Sequence, residues 1–387
     1  MKRSCMALVP VIVFAAMASF SLRSNIRVEA ASEKNDLTQL LKNVQSGGLS
    51  FNKIGRLSFG PKGLLLVADV AGPAVVAIDT GDTGPLQKLT KRVDEVDVKV
   101  AAVMGAKPEE VVIVDMAVNT LSGTIYLSAH RKADNAAALV TVDGNGKIKV
   151  LDLDDVRYVR VPLPVSAGTQ VRNITGVQFT EDRVIAAGQC NEEFASKIFS
   201  LPLPLTHDAS GSMYSTETYH VAHGRWETRA PIQSFIPYQE NGKSYIVGSF
   251  SCTPIAKFPL DDIETGAQVK GTSVVELGSG NRPVDMFTYK RDGKEWLVTN
   301  TDRFHHERRP LGPSQYWGVR VDMSYLAAEK TNEDAARRDI SKKEGPTGIQ
   351  VMDVLFFARH VAKLNDAEMV VLRDNDGGLN LELAPLP

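Results

Sequence analysis

The feature that most constrains the fold is a repeated unit of short strands separated by turns. Each unit contains apolar or alternating runs that end in turn-forming pairs such as Asn241-Gly242 and Asp292-Gly293. Six copies begin near residues 57, 112, 174, 232, 283 and 348, a spacing of roughly 50 to 65 residues. One such sheet cannot bury both of its faces alone, whereas tandem copies around an axis can. The sequence therefore predicts an all-β fold, a β-propeller of six or seven blades.

The repeats place this propeller domain over residues 51–387. A pair of β-sandwiches would show the same alternation without copies that align, and it remains the alternative. Residues 37–44 have the pattern of a short helix inside an N-terminal linker over 31–50. Residues 324–347 are rich in alanine and charge at helical spacing, which predicts a solvated helical insertion before the last blade, or alternatively a docking helix.

The N-terminus indicates export. Lys2 and Arg3 precede an apolar run over residues 6–20, which Pro10 interrupts and small residues follow. A basic start, a short apolar run and small residues near the cut are typical of a secretory signal peptide, predicted here over 1–30. The mature chain is then expected to be periplasmic or secreted, with no membrane span after cleavage. An uncleaved N-terminal anchor is the alternative.

Charge and motif content exclude several functions. The formal net charge of −2 argues against a nucleic-acid partner that binds through a broad basic face. Three cysteines in 387 residues exclude a disulfide-dense scaffold. The sequence contains no Cys-x-x-Cys-His haem attachment site, Gly-x-Ser-x-Gly, His-Glu-x-x-His or phosphate loop.

Short strand pairs carry a resemblance to a known class. Leu65-Leu-Val-Ala-Asp69 followed by Val75-Val-Ala-Ile-Asp79, and the run Ala138-Leu-Val-Thr-Val-Asp143, resemble strands of bacterial YVTN-type (WD40-like) and quinoprotein-amine-dehydrogenase-like propeller proteins. The resemblance implies the architecture of most of the mature chain. It implies no catalytic residue, because that class includes binding proteins, enzymes and scaffolds.

Alignment of the copies predicts which side chains share one end of the propeller. Second strands end at acids, a histidine or a thiol, and arginines stand just before three innermost strands. The residues at these positions are Asp69, His130, Cys190, Cys252, Asp302 and Asp374, with Arg172, Arg229 and Arg282. Because equivalent positions of a propeller form a ring, we expect one polar funnel, the default ligand site.

The charged members of this ring predict an anion site. Arg172, Arg229 and Arg282 are expected to hold a carboxylate or phosphate through bidentate guanidinium contacts, with Asp69 and Asp302 beside them. The alternative is that each arginine pairs with a carboxylate of a neighbouring blade. The predicted partner is an anionic small molecule or a protein.

The two cysteines of the mature chain leave three possibilities open. Cys190 and Cys252 occupy matching positions in neighbouring repeats. The first two possibilities are a disulfide between them and a pair of buried thiols. The third possibility is a copper or zinc site with His130 or His305, since thiolate and imidazole suit these metals.

Two loops carry further polar residues. His220 and His223 are spaced for chelation, although such pairs are usually exposed, and the basic loop 303–310 is long enough for a lid or a partner contact. Asp302 with His305 has the composition of an oriented general base, but no nucleophile is identifiable. The sequence therefore favours an exported binding or scaffold module, with a metal-dependent hydrolase, lyase or oxidoreductase as the alternative.

Overall fold

The computed structural model describes residues 37–387, except 209, 252–253, 261–263, 279, 309, 311, 328–329 and 332–348. The predicted signal peptide, Cys252 and most of the predicted insertion 324–347 lie outside the described residues. The described part is almost entirely β-structure with one α-helix, α1 (Val96–Val103). No helix in these residues is long and apolar enough to cross a bilayer.

The first two sheets are built from the N-terminal third of the chain. Unit 1 comprises β2 (Ile54–Phe59), β3 (Leu64–Asp69) and β4 (Ala74–Asp79), to which β9 (Arg157–Pro162) and β1 (Gln45–Ser46) add at the outer edge. Unit 2 is a meander of four strands, which are β5 (Val111–Val118), β6 (Ile125–Arg131), β7 (Ala137–Val142) and β8 (Ile148–Val150).

The next two units are joined into one large sheet. The strands of unit 3 are β10 (Val171–Phe179), β11 (Arg183–Cys190), β12 (Ser196–Pro202) and β13 (Ser212–His220), with β14 (Arg225–Glu227) paired to β13. Those of unit 4 are β15 (Ile232–Glu240), β16 (Lys243–Phe250), β17 (Pro254–Pro259) and β18 (Gln268–Glu276). The outer strands β13 and β18 pair in parallel, so eight strands run continuously through the two units.

The last two sheets complete the fold. Unit 5 contains β19 (Asn281–Arg291), β20 (Lys294–Arg303), β21 (Tyr316–Asp322) and β22 (Ile349–Val351). Unit 6 contains β23 (Ala358–Lys363), β24 (Glu368–Asn375) and β25 (Gly378–Pro385). Short 3-10 helices lie at Pro61–Gly63, Pro108–Glu110, Leu153–Asp155, Val221–His223, Met323–Ala327 and Asp353–Leu355.

Six apolar clusters pack the units into a ring, which confirms the propeller architecture. Each cluster fills one interface between two units, and the six interfaces are 1–3, 3–4, 4–5, 5–6, 6–2 and 2–1. The innermost strands β2, β10, β15, β19, β23 and β5 contact one another in the same circular order. The order in space therefore differs from the order in the chain, because unit 2 lies between units 1 and 6.

The helix predicted over 37–44 is absent. Residues 38–40 form a turn, and the backbone of Lys42 donates to Leu205 while that of Leu205 donates to Leu40. Leu37 and Leu41 pack into the cluster between units 1 and 3. So short a helix is marginal by itself, and pairing to residue 205 buries the same leucines. The helix that does form, α1, lies in a segment with no predicted element.

The contribution of the buried Asp69 to the stability of unit 1 can be measured by replacing it. Its fully buried carboxylate accepts hydrogen bonds from the backbone of Asn52 at 3.1 Å and Lys53 at 3.0 Å, and pairs with Arg160 at 2.6 Å. We expect Asp69→Ala to lower the free energy of unfolding by about 3 kcal/mol, because it leaves these buried donors unpaired. Chemical denaturation measures the change. Asp182→Ala, which removes an ion pair from the surface, should cost less than about 1 kcal/mol, and equal losses would contradict the assignment.

Candidate functional site

The six innermost strands surround a central channel, and each of them is irregular at a similar level. Pairing with the second strand of every unit skips residues, as at a β-bulge. A bulge redirects the skipped side chain, here toward the axis. The skipped residues that line the channel are Gly55, Arg56, Val114, Thr175, Gln233, Val284, Asp285 and Arg359.

The channel widens into a cavity at each end. The cavity at the starts of the inner strands, called here the N-terminal mouth, has a volume of about 340 Å³ and is lined by residues that include Lys53, Arg282 and Arg359. The opposite C-terminal mouth has a volume of about 320 Å³, with Phe59, Asn119 and other residues from the strand ends in its lining. Both volumes are at the small end of the range for ligand pockets.

A charged cluster lies between the two mouths. Nη1 of Arg56 lies 2.8 Å from Oδ1 of Asp115 and 3.6 Å from Oδ1 of Asp285. The other Asp115 oxygen accepts a hydrogen bond from the backbone of Leu57 at 2.7 Å. Nδ1 of His360 lies 3.2 Å from Oδ2 of Asp285 and 3.5 Å from Oδ1 of Asp115. Four units thus meet through one guanidinium, two carboxylates and one imidazole.

The position of Asp285 is fixed by its neighbours. Its backbone donates to Oδ1 of Asn300 at 2.9 Å, and its carboxylate accepts from the backbone of Val361 at 2.9 Å. The amide of Asn300 in turn donates to the carbonyls of Ala358 and Arg359. This network of satisfied hydrogen bonds ties the bulge of unit 5 to that of unit 6.

The environment of Arg56 keeps it charged. Burial by itself would lower the pKa of its guanidinium, but the carboxylates of Asp115 and Asp285 outweigh burial, and the pKa is raised. Arg56 therefore serves as the permanent counter-charge of the two acids.

The N-terminal mouth carries cations with little compensation. Arg282 pairs with Asp302 at 2.7 Å, whereas Arg359 donates to the carbonyl of Ile113 at 3.3 Å. Among the described residues no carboxylate lies within ion-pair distance of Lys53 or Arg359. Burial, followed by the positive charges of Lys53 and Lys132, lowers the pKa of His130 at the same mouth.

Of the residues predicted to bind an anion, the structure brings two together. Arg282 and Asp302 line the N-terminal mouth. Arg172 and Arg229 are exposed and line neither mouth, although Asn173 next to Arg172 lines the N-terminal one. Asp69 is buried against backbone donors and Arg160, outside both linings.

The residues predicted to hold a metal are more dispersed. His130 lines the N-terminal mouth, Cys190 is a free thiol buried in the cluster between units 1 and 3, and His305 is exposed on its loop. Within the described residues, none of these three belongs to a group of histidine, cysteine or acid side chains close enough to share an ion. The pairing of Cys190 with Cys252 lies outside the described residues and stays a prediction.

Alignment of strand ends missed the cluster in the channel. Asp115 is the only polar residue of the strand Val111–Val118, and Asp285 lies between the apolar residues Val284 and Met286 in the strand Asn281–Arg291. An ionised residue is rarely buried in such a strand unless it has a partner, which is the signal that would have found both. Arg56 and His360 carry no comparable signal, because their short strands contain other polar residues, Ser58 in one and Arg359 in the other.

Comparisons with known proteins give no family. No family model and no curated protein matches the chain. A PQQ-bound aldose sugar dehydrogenase from Streptomyces coelicolor has 13% identity and a TM-score of 0.35 over 89% of this chain and 100% of that one. The extracellular domains 1–2 of Drosophila Semaphorin 1a have 12% identity and a TM-score of 0.37 over 89% and 88%. A GH43 protein from Bacillus licheniformis has 11% identity and a TM-score of 0.35 over 68% and 50%. Likenesses this distant carry no argument about function.

The burial of Cys190 predicts low reactivity. Burial raises the pKa of its thiol to about 11, so the thiolate that alkylating agents require is scarce. At pH 8 we expect iodoacetamide to modify Cys190 about a hundredfold more slowly in the folded protein than in guanidinium chloride. Mass spectrometry of the Cys190 peptide measures both rates. Equal rates, or a peptide in which Cys190 is disulfide-linked to Cys252, would contradict a buried free thiol.

The pKa of His130 tests the positive electrostatic field at the N-terminal mouth. In Lys53→Gln we expect the pKa of His130 to rise toward its ordinary value, because a nearby positive charge no longer opposes protonation. NMR titration of the imidazole carbon-bound protons measures this pKa. Lys149→Gln, which removes an exposed lysine of β8, is the matched control and should leave it unchanged. A fall in the pKa of His130 in Lys53→Gln would refute the described field.

Proposed function

We propose that this protein is a binding propeller that holds a small anionic molecule in its N-terminal mouth. The observation that supports it is the pair of cations, Lys53 and Arg359, that line one cavity of about 340 Å³ without a carboxylate partner in the described residues. Charges left uncompensated at the end of a channel attract and hold an ion of opposite sign.

The existing ion pairs of the channel determine which arginine side chains remain available to bind a ligand. Arg56 is committed to Asp115 and Asp285, so it is a poor candidate for ligand contact. Arg282 pairs with Asp302, but its side chain is 55% exposed, and such surface pairs exchange partners at little cost. Arg359 uses one nitrogen for the carbonyl of Ile113 and keeps further N–H donors for a ligand.

Neutral groups complete the lining. Asn173, Gln233 and Tyr316 line the same mouth and offer hydrogen bonds of either polarity. A carboxylate or phosphate attached to a small hydroxylated body would use both the cations and these groups. The proposed ligand class is therefore a small organic acid or phosphate ester, in agreement with the anionic ligand predicted from the sequence.

The number of blades, the cellular location and the kind of partner are part of the same proposal. We count the ring as six blades, with units 3 and 4 as two blades joined at their outer strands. The N-terminal segment supports export to the periplasm or the medium, where the mouth would meet its ligand. A protein partner carrying an acidic group is the second form that the ligand could take.

The metal-dependent enzyme is less well supported at this channel. Asp115, Asp285 and His360 have ligand atoms within 4.8 Å of one another, which is a composition suited to a divalent cation. However, Nη1 of Arg56 approaches both carboxylates and already supplies the positive charge that a cation would provide. A metal there would have to displace a guanidinium whose pKa is raised by the same two acids.

Binding is tested by thermal stability in a panel of anions. Citrate, phosphate and glucose 6-phosphate, compared with chloride at equal ionic strength, should include one that raises the melting temperature of the full chain. We expect Arg359→Gln and Lys53→Gln each to weaken that anion at least about tenfold, the loss typical of one charge-assisted hydrogen bond. Calorimetric titration measures the affinities.

Matched variants separate the mouth from general charge effects. Lys149→Gln removes an exposed lysine from β8, outside both mouths, and should bind the anion like the unmodified protein. Loss of affinity in Lys149→Gln as large as in Lys53→Gln would indicate nonspecific attraction. Stabilisation that persists in the Arg359→Gln, Lys53→Gln double variant would refute binding at this mouth.

A further inference from the structure

A second polar cluster lies at the outer edge of the propeller, away from the channel. It is formed where β13 ends, turns through the 3-10 helix Val221–His223 and returns as β14. The turn closes at Gly224, which has φ 63°, a conformation that glycine adopts without strain. His220, His223 and Glu227 come from the end of one strand, the turn and the return strand.

The strand register explains why these side chains meet. His220 pairs with Arg225, and Thr218 pairs with Glu227. Residues two apart on a strand share a face, so His220 and Glu227 are diagonal neighbours on one side of the hairpin. The turn then brings His223 beside them, with the two imidazole centroids 4.0 Å apart.

His220 is the unusual member of the cluster. Its side chain is only 4% exposed, yet its buried Nε2 has no hydrogen-bond partner among the described residues. The nearest carboxylate oxygen to that nitrogen belongs to Glu276, at 3.6 Å. A buried polar atom without a partner costs free energy, and a bound ligand is one way to recover it.

We propose that His220, His223 and Glu227 form a binding site for a divalent transition metal such as zinc. One ligand atom from each lies within 4.8 Å of the others. Ligand atoms around a tetrahedral zinc ion are about 3.4 Å apart, so shifts of about 1 Å complete the site. His223 and Glu227 are 43% and 28% exposed and have room to make them. The fourth position faces solvent and takes water.

Two neighbours of the site have defined parts in the proposal. Glu276 accepts hydrogen bonds from the backbone of Val221 and Ala222, which holds the turn, and its carboxylate lies 3.6 Å from Nε2 of His220, beside the proposed position of the ion. Arg225 donates to Oε1 of Glu227 at 2.9 Å and therefore competes with the ion for that carboxylate. It is 67% exposed and can turn toward solvent.

The proposed metal site lies next to the junction between units 3 and 4. β13 pairs with β18 in the parallel contact that joins units 3 and 4, and Glu276 is the last residue of β18. A metal held by the hairpin of β13 would tighten this junction. This role is independent of the ligand proposed for the channel.

The experiment uses the full chain without a polyhistidine tag, stripped with a chelator and titrated with Co²⁺ and then Zn²⁺. We expect one equivalent of Co²⁺ per chain with the visible absorption of an imidazole-ligated ion, displaced by Zn²⁺. His223→Ala at an exposed position and Glu227→Gln at a half-buried one should each weaken binding at least tenfold, with circular dichroism checking that both variants fold. Arg225→Gln should bind at least as tightly as the unmodified protein, because it removes the competing guanidinium.

Control variants make the result specific. His207→Ala removes an exposed histidine elsewhere and should leave both affinity and stoichiometry unchanged. Zinc should raise the melting temperature of the unmodified protein but not of His223→Ala. The proposal is overturned by unchanged Co²⁺ affinity in His223→Ala, or by binding that disappears in His360→Gln and persists in His223→Ala.

Discussion

Apolar packing between neighbouring sheets is the interaction on which the rest of the structure depends. Every unit has two apolar faces, and each face is buried in one of the six clusters between units. A sheet with two buried faces exposes only its edges, so six innermost edges must converge. The channel and its charged cluster follow from that convergence, since the bulges of the innermost strands direct further side chains, Arg56 and Asp285 among them, into the small axial space.

Closure of the ring relies on long-range pairing rather than on consecutive units. The segment between units 1 and 2 crosses to unit 6, where Val93 and Leu381 exchange backbone hydrogen bonds in both directions. Arg92 pairs with Asp376 on the same side. The chain then returns through β9, which becomes an outer strand of unit 1. The N-terminal third therefore holds two neighbouring positions of the ring in reverse order.

Much of the architecture was predictable because turn signals and strand alternation are local. The strand pair identified in the sequence at residues 65–69 and 75–79 lies in β3 and β4, and the Asn241-Gly242 and Asp292-Gly293 turns connect β15 to β16 and β19 to β20. The order of the units was not predictable, because neighbouring sheets are chosen by packing and not by adjacent sequence. The segment 37–44 was wrongly predicted as a helix for the same reason, since its pairing partner is residue 205.

The residues of the candidate site were also predictable only in part. Alignment of the copies placed Arg282, Asp302 and His130 at one mouth, because equivalent strand ends of a propeller share a face. It did not find Arg56 or Arg359, whose directions depend on bulges that no residue pattern in a single sequence marks. Arg172 and Arg229 show the converse, since each has the right position in the alignment and lies outside the mouth. Alignment of strand ends thus predicts which end of the propeller carries a site better than it predicts the individual residues that line the site.

The reversed order of the first two units also has a consequence during synthesis. One apolar face of unit 2 is covered by residues of unit 6, among them Leu364, Val370 and Leu381. Those residues leave the ribosome more than two hundred positions after unit 2 has been made. Such a distant partner slows folding and leaves aggregation-prone surface uncovered meanwhile. Unit 2 can therefore complete its packing only after the last strands of the chain have been made.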